Sequence, residues 1–288
     1  MLGHKLVQRW REQFDVWTTL RGDLLEYERY GLFDPDRTFG STDTNRLETL
    51  EQLVDEVRPD AIFNAVGVIK QLPSSRDVVN TLQVNAILPH QLAGIAAKHG
   101  SRLINISTDC VFDGARGMYT EDDVSNATDL YGKSKNLGEV IADNCLTLRT
   151  SIIGRELSTS HGLVEWVLGN RGESVKGFVN AIFSGFPTIV LADIIADLMT
   201  KHSDLQGLYH LSSEPINKFD LLHLIKDSYG IDLEIERFEN FYMDRSLDSS
   251  KLRKKIGFSP APWPEMVERM AKDDTPYEIW RKEFSKTN

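Results

Sequence analysis

Apolar positions along this chain switch repeatedly between the spacing of a helix face and the short unbroken runs of a buried strand. From Leu2, apolar residues recur at Leu6, Val7 and Trp10 with His4, Lys5, Gln8 and Arg9 between them, which predicts an amphipathic helix. Phe14 to Leu20, rich in β-branched and aromatic residues, predicts a strand; Leu47, Leu50, Val54 and Val57 then mark a helical face that Pro59 ends. DAIFNAVG, from Asp60 to Gly67, is almost continuously apolar, as a parallel strand buried on both faces should be. A helical stretch from about Asp77 to Lys98 leads to a second such strand, Arg102 to Ser107, and the alternation continues through DLYGKSKNLGEVIAD and CLTLRTSII. Strands alternating with helices predict an α/β fold, a doubly wound parallel sheet of the Rossmann type. Such sheets take ligands at the carboxyl ends of their strands.

Composition narrows the function without naming it. The 288 residues are 41% hydrophobic and 26% charged, enough for a large core, and the net charge of −10 argues against a general grip on nucleic acid or anionic lipid. No window has the ~18 uninterrupted apolar residues of a membrane span, and the amino end lacks a secretory pattern, so a cytoplasmic protein is expected. Cys110 and Cys145 sit among apolar residues and are expected as reduced thiols. The histidines are scattered with no ligand spacing, so no metal is expected.

The chemistry concentrates after the second buried strand. That strand ends in Ser107-Thr108-Asp109, a loop of about twenty residues follows, and Tyr131 and Lys135 then stand four apart on the next helix. Residues at that spacing share a face, so the phenol and the ammonium can enter one cleft. A nearby ammonium favours phenolate, which would fit Tyr131 for proton transfer near neutral pH, and Thr108 could hydrogen-bond the same substrate oxygen.

STDCVFDG, MYTEDD and TDLYGKSKNLGE together resemble the extended short-chain dehydrogenase/reductases, and within them the dTDP-4-dehydrorhamnose reductase branch. DAIFNAVGVI, VNAILPHQLAGIA and LTLRTSIIGRE extend the resemblance over roughly residues 1 to 215. It implies Tyr131 as general acid, Lys135 as the residue that holds the nicotinamide ribose and tunes Tyr131, and Thr108 as the one that orients the carbonyl. Asn64, Ala65 and Gly67 would line the cofactor's turn, and Asn85 would sit behind the nicotinamide. Gly3 matches the last glycine of a G-x-x-G-x-x-G turn whose earlier part, with the strand before it, precedes Met1 in relatives. The resemblance therefore implies an internal Met1 of a longer reading frame, or a truncated form. Arg21, in TTLRGD, is placed to meet a 2′-phosphate, so NADP(H) is favoured, with Asp23 keeping NAD(H) as the alternative.

The related dehydratases carry T-D-E at the strand end, whereas this chain reads Thr108-Asp109-Cys110 and lacks the second carboxylate that elimination needs, so carbonyl reduction is expected. Asp109 and Cys110 would border the substrate, and Arg155, Lys176 and Asn180 would meet its diphosphate or sugar. Trp166 and Phe178 are expected in the core. The nucleotide-binding domain would span residues 1–152, with about 186–212 returning to it. A smaller, mixed α/β substrate domain would take about 153–185 and 213–288. The expected function is NADP(H)-dependent reduction of a nucleotide-linked 4-keto-6-deoxy sugar for polysaccharide biosynthesis, with homodimerisation left open. The alternative is a non-catalytic subunit of the same fold, similar to the methionine adenosyltransferase regulatory subunit.

Overall fold

A computed structural model describes residues 1–70 and 76–281. Its central parallel sheet has the order β3-β4-β5-β9, formed by Ala61–Asn64, Arg102–Thr108, Cys145–Thr150 and Gly207–His210. Side-chain alternation along β4 and β5 splits the core between the two faces. Leu103 and Cys145 join Leu50 of helix α2 (Leu47–Val57) and Leu88, Leu92 and Ile95 of α4 (Leu88–His99) on one face. Ile104, Leu146 and Leu148 join Leu2, Leu6 and Trp10 of α1 (Leu2–Trp10) and Leu191 and Ile195 of α7 (Thr188–Thr200) on the other. Helices thus cover both faces, and the doubly wound architecture expected from the sequence is the one observed.

A separate parallel pair joins β1 (Thr18–Thr19) to β2 (Thr38–Phe39). The strand expected over Phe14 to Leu20 shrinks to two residues, because Phe14 is still turned back onto the Trp10 carbonyl and only Thr18 and Thr19 find partners. β3 is half-buried until Asn64, not buried on both faces, since among the described residues β4 is its only strand neighbour. A further mixed sheet, β10-β7-β11, is built from Ile216–Asn217, Ser174–Phe183 and Glu234–Asp244, with α8 (Lys218–Tyr229) packed against it. Trp166 lies on α6 (Leu163–Gly169) and is 41% exposed, which places it outside the core expected for it.

The helix expected from Asp77 to Lys98 is interrupted. It runs as α3 (Val78–Leu82), widens into a π turn over Gln83–Ile87 and resumes as α4. Pro89 has no N–H to give the Asn85 carbonyl, and the Leu88 N–H reaches back to Gln83 instead. The Asn85 carbonyl is left facing Gly138, where a Cβ would come within 2.0 Å of it, so only glycine permits this approach. Gly138 closes α5 (Leu130–Leu137), the helix that carries Tyr131 and Lys135.

Two buried polar contacts fasten distant parts of the chain. The Arg149 guanidinium of β5 is bidentate to Glu139, just past α5, with both bonds at 2.7 Å. Glu139 also accepts the Ser107 hydroxyl at 2.6 Å, and Arg149 reaches Ser125 and the His210 ring. At the other end of the core, the α1 side chain His4 shares a 2.8 Å hydrogen bond with the Tyr277 hydroxyl, and Lys5 is paired with Asp273.

Arg149→Met should lower unfolding free energy by about 3–5 kcal/mol, because it leaves Glu139 buried without its partner. The double variant Arg149→Met/Glu139→Met should regain part of that loss. Urea unfolding of the two variants beside the parent protein measures both; equal stability of the single variant and the parent would show that the pair is not desolvated.

Candidate active site

β4 ends at Thr108, where the chain turns into the loop that leads to α5. The Thr108 hydroxyl accepts the Cys110 N–H at 3.1 Å and donates to Asp109 at 3.0 Å. α5 begins at an Asp129 cap that accepts the Gly132 N–H at 2.8 Å. A Cβ at Gly132 would lie 2.2 Å from the Cys110 carbonyl oxygen, so the glycine lets the first turn of α5 press against the strand end. That approach brings the Tyr131 phenol into hydrogen-bonding reach of Thr108.

The electrostatics of this group depart from the sequence expectation. Burial pushes the Tyr131 phenol up, the neighbouring Cys110, Asp109 and Asp129 add to the effect, and the Thr108 hydrogen bond opposes it. The tyrosine is therefore a neutral phenol at neutral pH, not a phenolate favoured by Lys135. The lysine ammonium is turned to the Ile106 carbonyl at 2.7 Å, and burial brings it down to about 8 against the pull of Glu139. Asp109, fully enclosed, is raised by the same desolvation in spite of the Thr108 hydrogen bond and the nearby Arg245. Burial, with the Asp109 charge, pushes the Cys110 thiol to about 11.

The residues expected to meet a cofactor lie along the carboxyl ends of the strands. Asn64 donates to Asn105 at 2.9 Å and accepts the Val66 N–H, shaping the turn after β3. Ala65 faces Gly3 at the start of α1, and Gly67 faces the Asn85 side chain. Asn85 is fully buried and holds both the N–H and the carbonyl of Val68, at 2.8 and 2.9 Å, while also reaching Ser134 of α5. It thereby couples the Ala65–Val68 turn to α5. Arg21 is exposed just after β1. These positions fit a nicotinamide dinucleotide on one physical point: the buried Lys135 ammonium has three donors and only one acceptor among the described residues, leaving two for the hydroxyls of a ribose.

Three residues proposed for the substrate are placed elsewhere. Arg155 is buried with its charge spent on Glu165 and Glu278, and it stacks over Tyr277. Lys176 is exposed beside Phe238, and Asn180 is exposed and bonded to the Glu239 carbonyl; both face β11 and not Tyr131. The cations beside Tyr131 and its neighbours Asp109 and Cys110 were missed by sequence reasoning. Lys70, from the turn after β3, pairs with Asp129 at 2.7 Å and lies 5.5 Å from the Tyr131 ring. Arg245 follows β11, and Lys218 opens α8 facing Asp109 and Cys110. The position of Arg245 at the carboxyl end of β11 is a signal that a strand reading of ERFENFYMD would have supplied.

Comparison with known proteins gives these observations a context. The family described as RmlD substrate binding domain matches residues 1–275. A dTDP-4-dehydrorhamnose reductase of Aggregatibacter actinomycetemcomitans is 24% identical over 271 residues, covering 86% of this chain and 92% of that protein. Methionine adenosyltransferase 2 subunit beta of Rattus norvegicus is 26% identical over 257 residues, covering 77% of this chain and 75% of that protein. Among solved structures, a dTDP-4-dehydrorhamnose reductase from Bacillus anthracis in complex with NADP superposes with a TM-score of 0.73 at 21% identity, covering 89% of this chain and 99% of that one.

Lys135 gives a testable signature. Its proton is held less tightly in the folded chain than in the unfolded one, so between about pH 8 and the ordinary lysine range near ~10.4 the unfolded state binds more protons and stability rises with pH. The difference in unfolding free energy between the parent protein and Lys135→Met should therefore grow across that window. Urea titrations at several pH values read this directly, and a flat difference would show an ammonium that burial does not disfavour.

Proposed function

The chain belongs to the RmlD substrate-binding domain family, and from that premise we propose that it reduces the ketone of a nucleotide-linked 4-keto-6-deoxy sugar, with NADPH as reductant, in the cytoplasm. The observation that carries the reading is the close approach of the first turn of α5 to the end of β4, at Gly132 and Cys110, which sets the neutral Tyr131 phenol near Thr108 with Lys135 one helical turn away. The A. actinomycetemcomitans relative, by its name a dTDP-4-dehydrorhamnose reductase, supports the substrate class, and the NADP complex of the B. anthracis protein supports the cofactor.

The hydride is what a bound nicotinamide contributes. Everything else falls to side chains of this chain. Thr108 turns its single hydroxyl proton from Asp109 to the substrate carbonyl oxygen and holds that oxygen beside Tyr131. As negative charge develops on that oxygen, Tyr131 gives up its proton. An alkoxide is a stronger base than a phenolate, so a phenol with raised affinity for its proton still completes the transfer. Lys135, steadied by the Ile106 carbonyl, holds the ribose hydroxyls with its two remaining donors. Arg21 meets the 2′-phosphate that distinguishes NADP from NAD. Asn64, Ala65 and Gly67 line the cofactor's turn, and Asn85 keeps that turn in register with α5. No second carboxylate follows Asp109, which separates reduction from the elimination of water.

A second reading, a non-catalytic subunit that acts by docking on an enzyme, is favoured by the similarity to methionine adenosyltransferase 2 subunit beta. One assay separates the two. With dTDP-4-dehydrorhamnose and NADPH, followed by loss of nicotinamide absorbance, Tyr131→Phe should lower kcat by roughly 10²–10⁴ with little change in KM. Turnover by Tyr131→Phe equal to the parent would remove Tyr131 from the chemistry, and absence of turnover in the parent would favour the docking subunit.

A further inference from the structure

We infer that Lys218 and Arg245, two cations outside the catalytic group, hold the phosphate groups of the nucleotide-linked substrate; the assignment rests on the reductase reading and deepens it. Both residues come from the β10-β7-β11 side of the molecule, whereas Thr108, Tyr131 and Lys135 come from the central sheet and α5. They converge on the same short segment. The Arg245 guanidinium lies 3.9 Å from the Cys110 sulfur and is held in place by the Phe112 carbonyl at 2.8 Å and the Asp113 carbonyl at 3.5 Å. The Lys218 ammonium, at the first position of α8, faces Asp109 and Cys110.

Their partners are what single them out. Of the buried guanidiniums, Arg149 and Arg155 are matched to carboxylates and Arg102 is filled by three backbone carbonyls, those of Leu198, His202 and Leu205. Arg245 has no carboxylate in ion-pair contact among the described residues, only carbonyl oxygens and a thiol, so part of its donor fork is unused. Lys218 makes no hydrogen bond or ion pair among the described residues. Burial depresses its proton affinity in spite of the attraction of Asp109, so one carboxylate does not offset the cost of its position. Asp109, Asp113 and Asp129 attract Arg245 only at longer range, and among the described residues neither cation has a carboxylate in ion-pair contact, so both keep donors for an anion. The ionised oxygens of a diphosphate supply that anion, and they match both an ammonium and a guanidinium fork.

Both cations face Cys110, two residues on from Thr108, whereas the residues expected to meet the diphosphate lie elsewhere. Arg155 is spent on internal carboxylates, and Lys176 and Asn180 face β11. Lys218 and Arg245 take over their assigned role from neighbouring elements.

The test uses the full chain and two probes, thymidine 5′-diphosphate and thymidine, titrated by calorimetry, with keto-sugar reduction measured alongside. Lys218→Gln and Arg245→Met should each weaken thymidine diphosphate binding by about 10- to 100-fold and leave thymidine binding unchanged. In turnover the same variants should raise KM by a similar factor with kcat within about threefold. Lys218→Arg, which keeps the charge, should restore binding to within about threefold and serves as the control for folding. Parent-like thymidine diphosphate binding by both Lys218→Gln and Arg245→Met overturns the assignment, and so does equal loss of thymidine and thymidine diphosphate binding. If the parent reduces no keto-sugar but binds the diphosphate through Lys218, the reductase reading fails and the phosphate site stands.

Discussion

The bidentate contact between Arg149 and Glu139 is the constraint on which the site's geometry depends. Glu139 follows directly on α5, Arg149 sits on β5, and Ser107 of β4 donates to the same carboxylate. A single ion pair therefore fixes the far end of α5, the helix that carries Tyr131, to the two central strands. At the near end, Gly132 allows backbone contact with Cys110, and near the far end Gly138 allows contact with Asn85. Between these fixed points the helix cannot slide along its axis, and Tyr131 is held near Thr108. Positioning of this kind, by backbone approach and a desolvated pair, is stiffer than a side-chain contact in water.

The same compactness sets the electrostatic character of the cleft. Tyr131, Cys110 and Asp109 are each biased towards their protonated forms because solvent is excluded from them. Positive charge enters from outside this knot: Lys70 through Asp129, Arg245 through backbone carbonyls and Lys218 from α8. A neutral centre bordered by cations suits a substrate whose reacting group is uncharged and whose handle is anionic.

How much of this the sequence revealed followed from how local each feature is. Tyr131 and Lys135 were legible because helix spacing alone puts residues four apart on one face, and the strand before them ends at Thr108 by the same local logic. The break at Gln83–Ile87 had a visible cause in Pro89, but a hydrophobic pattern averages over one widened turn. Lys218 and Arg245 lie more than eighty residues beyond Tyr131, and nothing in their neighbourhoods announces that they face it. Arg155 misled for the opposite reason. Its type suggested a phosphate ligand, but its charge is matched by Glu165, ten residues on, and by Glu278 near the far end of the chain, a pairing that exists only after folding. The tuning expected of Lys135 also needed the structure, since the competing acceptor is a backbone carbonyl invisible to residue type.

The fastening of α1 to the far end of the chain bears on the order in which this protein takes shape as it is made. Lys5 finds its carboxylate 268 residues later, at Asp273, and His4 finds its hydroxyl 273 residues later, at Tyr277. A helix of nine residues is too short to hold itself together in water. At synthesis rates of ~5–20 residues per second, its buried lysine and histidine wait roughly a quarter of a minute to a minute before their partners leave the ribosome. Through that interval the central strands can already pair with one another, while α1 is among the last elements to be locked in place.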